Sequence, residues 1–485
     1  MKNRVMLFLL FSIILLNCSK DNSVEEEPIV YVNSVQILGS DITEGVNSQM
    51  EAIVLPENAN NKSILWESSD VSVAEISSSG LITAKKNGTV TITATARDRG
   101  TIKSTKTITI TSFDTGGGNV TVGNVTELLQ ALANAAPGSI IVVNEGDYIL
   151  NTKITINISG TSGENITLMA NESQGRPKLD FSSMAENSSN RGVSLSASYW
   201  HIKGIDVFGA GDNGMFISGN NNLIEFCTFS ENSDSGLQIG NGGSNNTILN
   251  CDSYFNADSS IENADGFACK LDAGTGNKFI GCRAWQNLDD GWDGYLRGND
   301  NITTTYENCW AINNGYLEDG TVSGGDGNGF KTGGSDNKDL KHNSIYTNCI
   351  AVGNGFDGFD HNSNRGDVTI YNCSAYDNGK NYSFSTTNPL NQLIIKNSNT
   401  FGSFGTTNAD NTDITNNSWQ DGIIADENDF ESIDYSQLLA PRKVDGSLPD
   451  VTFFHLKAGS DLIDSGVDVG LPFNGSAPDL GAFEY

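Results

Sequence analysis

The sequence predicts an all-β protein, a right-handed parallel β-helix preceded by a small antiparallel β-sandwich. Three observations predict it. Cys227, Cys251, Cys282, Cys309, Cys349 and Cys373 are each followed five residues later by Asn232, Asn256, Asn287, Asn314, Asn354 and Asn378. Successive cysteines lie 24, 31, 27, 40 and 24 residues apart, a repeat with insertions. Such a repeat marks a solenoid whose units bury their apolar faces only by stacking on each other. Finally, short runs such as Thr247-Ile248-Leu249 and Thr369-Ile370-Tyr371 alternate with Asn, Gly, Asp and Ser turns, with no helical apolar period between them.

Residues 1–18 read as an export signal. Lys2 and Arg4 precede an apolar run from Val5 to Leu16 that ends at Leu15-Leu16-Asn17-Cys18. This resembles a bacterial lipobox, which implies a lipid on Cys18 as the only membrane attachment and an exported lipoprotein of the outer membrane. The run is short for a membrane span. Residues 19–31, with Ser19-Lys20-Asp21-Asn22 and Glu25-Glu26-Glu27, form an acidic tether that resembles the surface-export signals of Bacteroidetes lipoproteins.

Residues 32–112 should form the sandwich, with alternating segments at Ser34 to Leu38, Thr89 to Ala94 and Thr105 to Thr111. Leu55-Pro56, Trp66 to Asp70, Val73-Ala74, Gly80 to Ala84 and Gly88-Thr89-Val90 resemble a group 2 bacterial immunoglobulin-like domain, which implies a spacer or a weak carbohydrate- or surface-binding module. Residues 113–119, with three consecutive glycines, are a joint. Residues 120–485 are the β-helix. Asn124-Val125-Thr126-Glu127 has the form of a capping box leading into an amphipathic helix that plugs the N-terminal end of the solenoid. Strands follow at Ile140 to Val143 and Tyr148 to Leu150.

In a parallel β-helix equivalent residues stack at the inter-strand spacing of about 4.8 Å. The asparagines should therefore form a ladder of side-chain amides and the cysteines a column of free thiols, since identical stacked positions bridge poorly. The pairs Gly236-Leu237, Gly266-Phe267, Gly291-Trp292, Gly329-Phe330 and Gly358-Phe359 fall at one position, with the large residue inward. Strand alternation then sends Gln238, Ala268, Asp293, Lys331 and Asp360 outward in an exposed column. Asp265 and Asp290 stack on adjacent coils with Asp289 beside them. Four carboxylates thus converge within two coils, with Lys331 one coil beyond Asp293.

Four carboxylates together, with no local basic partner, need a cation. A divalent ion that takes six to eight oxygens, Ca²⁺, fits such a set, and the lack of paired His or Cys argues against zinc. The formal net charge of −31 excludes nucleic acid and an anionic membrane surface as partners.

Asn263 to Phe267, Asp289 to Tyr295, Gly327 to Gly334, Gly358 to Asn362, Ser460 to Gly466 and Pro478 to Glu484 resemble polysaccharide lyase family 9, calcium-dependent pectate lyases and related enzymes. The resemblance implies that Asp265, Asp289, Asp290 and Asp293 hold calcium, that Lys331 is the base of a β-elimination, and that the substrate is a pectic polysaccharide, polygalacturonate or rhamnogalacturonan I. A β-helix hydrolase and a non-catalytic surface glycan-binding adhesin are the alternatives; the Gly-His-Gly and Arg-Ile-Lys motifs of polygalacturonases are absent. Arg365 is a candidate for gripping a substrate carboxylate. Trp285, Trp292, Trp310, Tyr295 and Tyr316 are candidate sugar-stacking faces, and the insertion Gly315 to Asp326 a candidate groove wall. The enzyme is expected to act as a monomer.

Overall fold

The computed structural model describes residues 29–43, 47–98, 100–111 and 119–485. Cys18, most of the tether and the glycines of the joint lie outside them. The chain divides into two compact units at Ser112 and Phe113. In the N-terminal unit the strands pair antiparallel, Ile64–Ser68 against Gly88–Ala96 and Gly88–Ala96 against Lys103–Ile110. Alternation buries Val90, Ile92, Ala94, Ile108 and Ile110 on one face.

The C-terminal unit is a solenoid of three parallel sheets. One has twelve strands, from Asn119–Val122 to Asn411–Thr415. The other two have ten each, from Gly146–Ile149 to Asn399–Phe401 and from Ile154–Ile156 to Gly405–Thr407. The last of these, the site sheet, carries Phe267–Cys269, Trp292–Asp293, Phe330–Lys331 and Asp357–Asp360.

A helix over Val125–Ala133 packs on the first coil through buried Leu128 and Leu132. Its start differs from a full capping box: Asn124 Oδ1 accepts the Glu127 N–H at 3.0 Å, but the Glu127 carboxylate takes the N–H of Gly123, not Asn124, at 2.8 Å. Asn119–Val122, read in part as joint, is instead the first strand, paired with Ile140–Val143. Its only strong cue is the Val120, Val122 alternation, which buries Val122.

The predicted register holds. Leu237, Phe267, Trp292, Phe330 and Phe359 are in-register neighbours and fully buried. Their rings stack, Phe267 on Trp292 at 5.2 Å, Trp292 on Phe330 at 4.8 Å and Phe330 on Phe359 at 5.0 Å. The asparagine ladder runs unbroken from Asn232 to Asn378 and ends on Asn381, each Nδ2 donating to the next Oδ1 at 2.7–2.9 Å. It also dictates the glycines of the repeat. A Cβ on Gly266 would lie 2.7 Å from Asn287 Nδ2, and one on Gly291 2.8 Å from Asn314 Nδ2.

The cysteine column consists of free, buried thiols. Those from Cys227 to Cys349 donate to carbonyls of the preceding coil, as Cys309 Sγ does to Phe279 O at 3.4 Å. A second ladder, Asn222 to Asn246 to Asn277 at 3.0 and 3.1 Å, occupies another turn. The sequence carries its signal, since these residues stand five before Cys227, Cys251 and Cys282.

The C-terminal segment covers the outer face of the first ten-stranded sheet. Phe430, Leu438, Phe453, Phe454 and Leu456 cluster there with Trp310, Ile312, Ile350 and Val352. Arg442 fastens it, donating to Asp252 Oδ1 at 2.8 Å beside Arg283, which holds the same carboxylate. Trp310 is therefore packing, not a sugar platform, and Trp285 stacks on Tyr254 in the same sheet at 4.3 Å. No helix among the described residues is long and apolar enough to cross a membrane.

Asn287→Ala removes, inside the solenoid, the acceptor of the Asn256 backbone N–H and Nδ2 and the side-chain donor to Asn314 Oδ1 and Ser253 O. It should lower stability by about 2 kcal/mol, the cost of orphaning buried amides. Thermal unfolding followed by circular dichroism checks this; an unchanged midpoint would mean the ladder contributes nothing.

Candidate metal and catalytic site

The outward column of the site sheet is in register as Gln238, Ala268, Asp293, Lys331 and Asp360. It is not exposed: Gln238, Ala268 and Asp293 are buried, and the Lys331 side chain is only 11% accessible. Residues flanking the column and the loops around it form a cleft, with Asp258, Asn263, Lys270, Asp289, Asp293, Tyr295, Arg297 and Lys331 among its lining.

The position before each glycine forms a hydrogen-bonded column of its own. Ser235 Oγ donates to Asp265 Oδ2 at 2.7 Å, Asn328 N and Nδ2 both donate to Asp290 Oδ1 at 2.8 Å, and Asp357 N donates to Asn328 Oδ1 at 3.0 Å. Asp265 and Asp290 are thus on adjacent coils, as expected. Asp289 accepts the N–H of Asp326 at 3.0 Å, so the insertion Gly315 to Asp326 closes over the carboxylates. It also ties to the loop before Asp265 through Gly324 N–H to Ile261 O at 2.8 Å. Ala264, immediately before Asp265, has φ +139°, a strained value for a residue with a Cβ. Its carbonyl accepts the Asp289 N–H at 3.2 Å, which locks the two acidic segments together.

Asp265, Asp289 and Asp290 offer carboxylate oxygens within 4.8 Å of one another. Asp290 Oδ2 is buried, lacks a hydrogen-bond donor and lies 3.0 Å from Lys331 Nζ as an ion pair only. An all-oxygen set with one buried oxygen left without a donor fits a hard divalent cation.

The expectation that no basic group accompanies the carboxylates is wrong. Lys270 Nζ is 2.6 Å from Asp265 Oδ2 and 3.3 Å from Asp293 Oδ2, and Lys331 also pairs with Asp326 at 3.0 Å. Lys270 was missed because it follows the strand Phe267–Cys269 and joins the cluster only through its long side chain; its nearness to Asp265 in the chain was the available signal.

Burial raises the Asp265 carboxyl to about 7 against the pull of Lys270. Burial and then Asp289 push Asp290 well above the carboxylate range. Burial also raises Asp289, against Lys331. Asp293 runs the other way: burial opposes its charge, but Lys270 and Lys331 outweigh it and hold the carboxyl low. Burial likewise opposes the Lys331 charge, and Asp290, Asp293, Asp289 and Asp326 outweigh that, holding its pKa well above the usual lysine range.

Arg365 sits in the turn after Asp357–Asp360, with its guanidinium 3.9 Å from Asp410. The arginine lining the cleft is Arg297, near the Tyr295 ring and 3.4 Å from Asp336. Trp292 is core, while Tyr295 lines the cleft and donates to Asp336 at 2.6 Å.

The model of the Pel9A-like right-handed β-helix region matches residues 108–400, and that of the bacterial Ig-like domain (group 2) residues 40–108. Pectate lyase L of Dickeya chrysanthemi is 39% identical over 367 residues, 73% of this chain and 84% of that protein. Pectate lyase L of Paenibacillus polymyxa (strain SC2) is 39% identical over 368 residues, 71% of this chain and 80% of that protein. The crystal structure of pectate lyase Pel9A superposes with a TM-score of 0.69 at 35% identity, covering 76% of this chain and 96% of that one. A rhamnogalacturonan lyase superposes at 0.62 with 27% identity, covering 70% of this chain and 96% of that one.

Asp290 and Asp357 share a column two coils apart, but only Asp290 belongs to the carboxylate cluster. Asp290→Ala should weaken divalent-cation binding roughly tenfold or more, the scale of one lost charged ligand, with Asp357→Ala close to wild type. Calorimetric titration with calcium distinguishes them; equal losses would mean that the cluster is not the binding site.

Proposed function

The chain belongs to the Pel9A-like family of right-handed β-helix proteins and is a polysaccharide lyase, and from that premise we propose that it cleaves pectate by calcium-dependent β-elimination. In this reading Asp265, Asp289, Asp290 and Asp293 hold the ion and Lys331 is the base. The observation that carries it is the adjacency of Lys331 Nζ to Asp290 Oδ2, the buried carboxylate oxygen that no hydrogen bond satisfies.

β-Elimination of a polyuronate removes the proton on the carbon next to the carboxylate. The C–H electrons form the 4,5-double bond, the bond to the glycosidic oxygen breaks, and that oxygen takes a proton from water as it leaves. Lys331, on the cleft wall and anchored between Asp290 and Asp326, is the group that accepts the carbon-bound proton. Asp326 reaches it from the insertion. A bound Ca²⁺ would neutralise the uronate carboxylate, stabilise the charge that develops there and offset the carboxylates that keep Lys331 protonated. Because those carboxylates favour the charged amine, the active, neutral fraction of Lys331 grows with pH, and activity rises into the alkaline range.

The pectate lyases at 39% identity favour pectate as substrate. The likeness to a rhamnogalacturonan lyase, at lower identity, keeps rhamnogalacturonan I as the second reading. Against a hydrolase, the Asn-Thr-Asp motif that polygalacturonases carry beside Gly-His-Gly and Arg-Ile-Lys occurs here once, at Asn411 to Asp413, on the end strand of the twelve-stranded sheet and not on the site sheet. The same proposal includes export as a lipoprotein on Cys18, with the enzyme displayed at the outer surface as a monomer and the Ig-like domain as spacer.

Incubation with polygalacturonate should release products with rising ultraviolet absorbance from the 4,5-double bond; chelator should abolish this, and calcium, but not zinc, should restore it. Lys331→Ala should lose about 10²–10⁴-fold in rate, the usual worth of a positioned base, while still binding calcium. Lys331→Arg should rescue little, since guanidinium is effectively never neutral. Saturated products would indicate hydrolysis, and full activity in chelator would remove the calcium assignment.

A further inference from the structure

Lys270 is a charged group of the site for which the proposed β-elimination has no role. It immediately follows Phe267–Cys269, its backbone N–H bonded to Ile239 O at 3.2 Å and its carbonyl accepting the Ala273 N–H at 3.1 Å. The backbone is thereby fixed, and the side chain is only 16% accessible. Its ammonium lies between Asp265 Oδ2 and Asp293 Oδ2, at 2.6 and 3.3 Å. These oxygens belong to two of the four carboxylates assigned above to calcium. Lys270 also lines the cleft, alongside Lys331 and Arg297.

An ammonium and a divalent ion cannot both make their best contacts with the same two carboxylate oxygens. Three facts then bear on which gives way. The carboxylates Asp265, Asp289, Asp290, Asp293 and Asp326 face two ammonium groups, Lys270 and Lys331, so when all are ionised the negative charge exceeds the positive and favours an added divalent cation. Lysine is a point charge on a flexible four-carbon stem and can rotate about it, whereas the carboxylates are held by Ser235, Asn328 and the backbone of Asp326. The space into which it can rotate is the cleft itself.

We propose that Lys270 is a displaceable internal counter-ion, pairing Asp265 with Asp293 until a divalent cation takes them and then turning into the cleft to contact a substrate carboxylate. This rests on the calcium reading of the cluster. It adds a coupling, because ion binding frees a second cationic contact for an anionic polysaccharide, so the ion and the substrate each strengthen the binding of the other.

Lys270→Met and Lys270→Gln are titrated with calcium by calorimetry in alkaline buffer, with thermal unfolding in chelator as the fold control. Removing the competitor should tighten calcium binding about tenfold in both variants, while Lys270→Arg, which keeps the charge, stays near wild type. With calcium saturating, KM for polygalacturonate should rise several-fold in Lys270→Met, with a smaller change in kcat. If the two neutral variants bind calcium no better than wild type, or less well, Lys270 is a fixed structural partner and the proposal is overturned. An unchanged KM overturns the substrate contact. A wild-type protein that binds no calcium refutes the calcium reading itself, an outcome separate from either.

Discussion

The buried amide ladder from Asn232 to Asn381 is the constraint from which the site's geometry follows. Each carboxamide donates to the next and accepts in turn, so no coil can slip by a residue without orphaning amides throughout the stack. The ladder packs so close to the next turn that only glycine fits at Gly236, Gly266, Gly291, Gly329 and Gly358. One residue before that glycine stand Asp265 and Asp290, on adjacent coils and buried beside Lys270 and Lys331, which line the cleft. One residue after it lies the aromatic column that fills the core. Scaffold and site are therefore two readings of one register.

That register concentrates charge at a price set by burial. Asp265 and Asp290 are fully buried, and an ionised carboxylate there is stable only against an opposite charge. Lys270 and Lys331 supply part of it from either side, Lys270 across Asp265 and Asp293, and Lys331 across Asp290 and Asp326. The backbone fixes the placement of the carboxylates, through the strained Ala264, whose carbonyl accepts the Asp289 N–H and ties it to the neighbouring coil. The insertion Gly315 to Asp326 delivers both an N–H to Asp289 and a carboxylate to Lys331, so the longest spacing in the repeat marks the coil that completes the cluster.

The sequence was most legible where side chains repeat. Cys-x4-Asn set the coil boundaries, and the Gly-aromatic pairs set the strand register, because both answer to packing between adjacent coils. What stayed hidden depends on reach or on distant chain. Lys270 enters the cluster by the length of its side chain, which a register diagram does not display. Trp310 read as a sugar platform because nothing local announces that Phe430, Phe453 and Phe454, more than a hundred residues later, fold back over it. The second ladder was visible in principle as Asn-x4-Cys, but it lapses after Asn277, where Thr304 and then Ser344 take the place of asparagine.

The cleft is electrostatically divided along the solenoid axis, and this bears on how a polyanion lies in it. On the earlier coils its lining includes Glu186, Asp212 and Asp234, and on the later ones Lys270, Arg297 and Lys331. Burial, then Asp234, raises the Asp212 carboxyl to about 6 even though Arg191 pairs with it at 3.2 Å. A uronate carboxylate over those coils meets repulsion; over the lysine-bearing coils it meets the cations and the carboxylates they neutralise. On a chain with a net charge of −31, long-range attraction does not bring the substrate in. Recognition must instead be local, at the coils where cations stand against the carboxylate column, and it should weaken wherever those cations are removed.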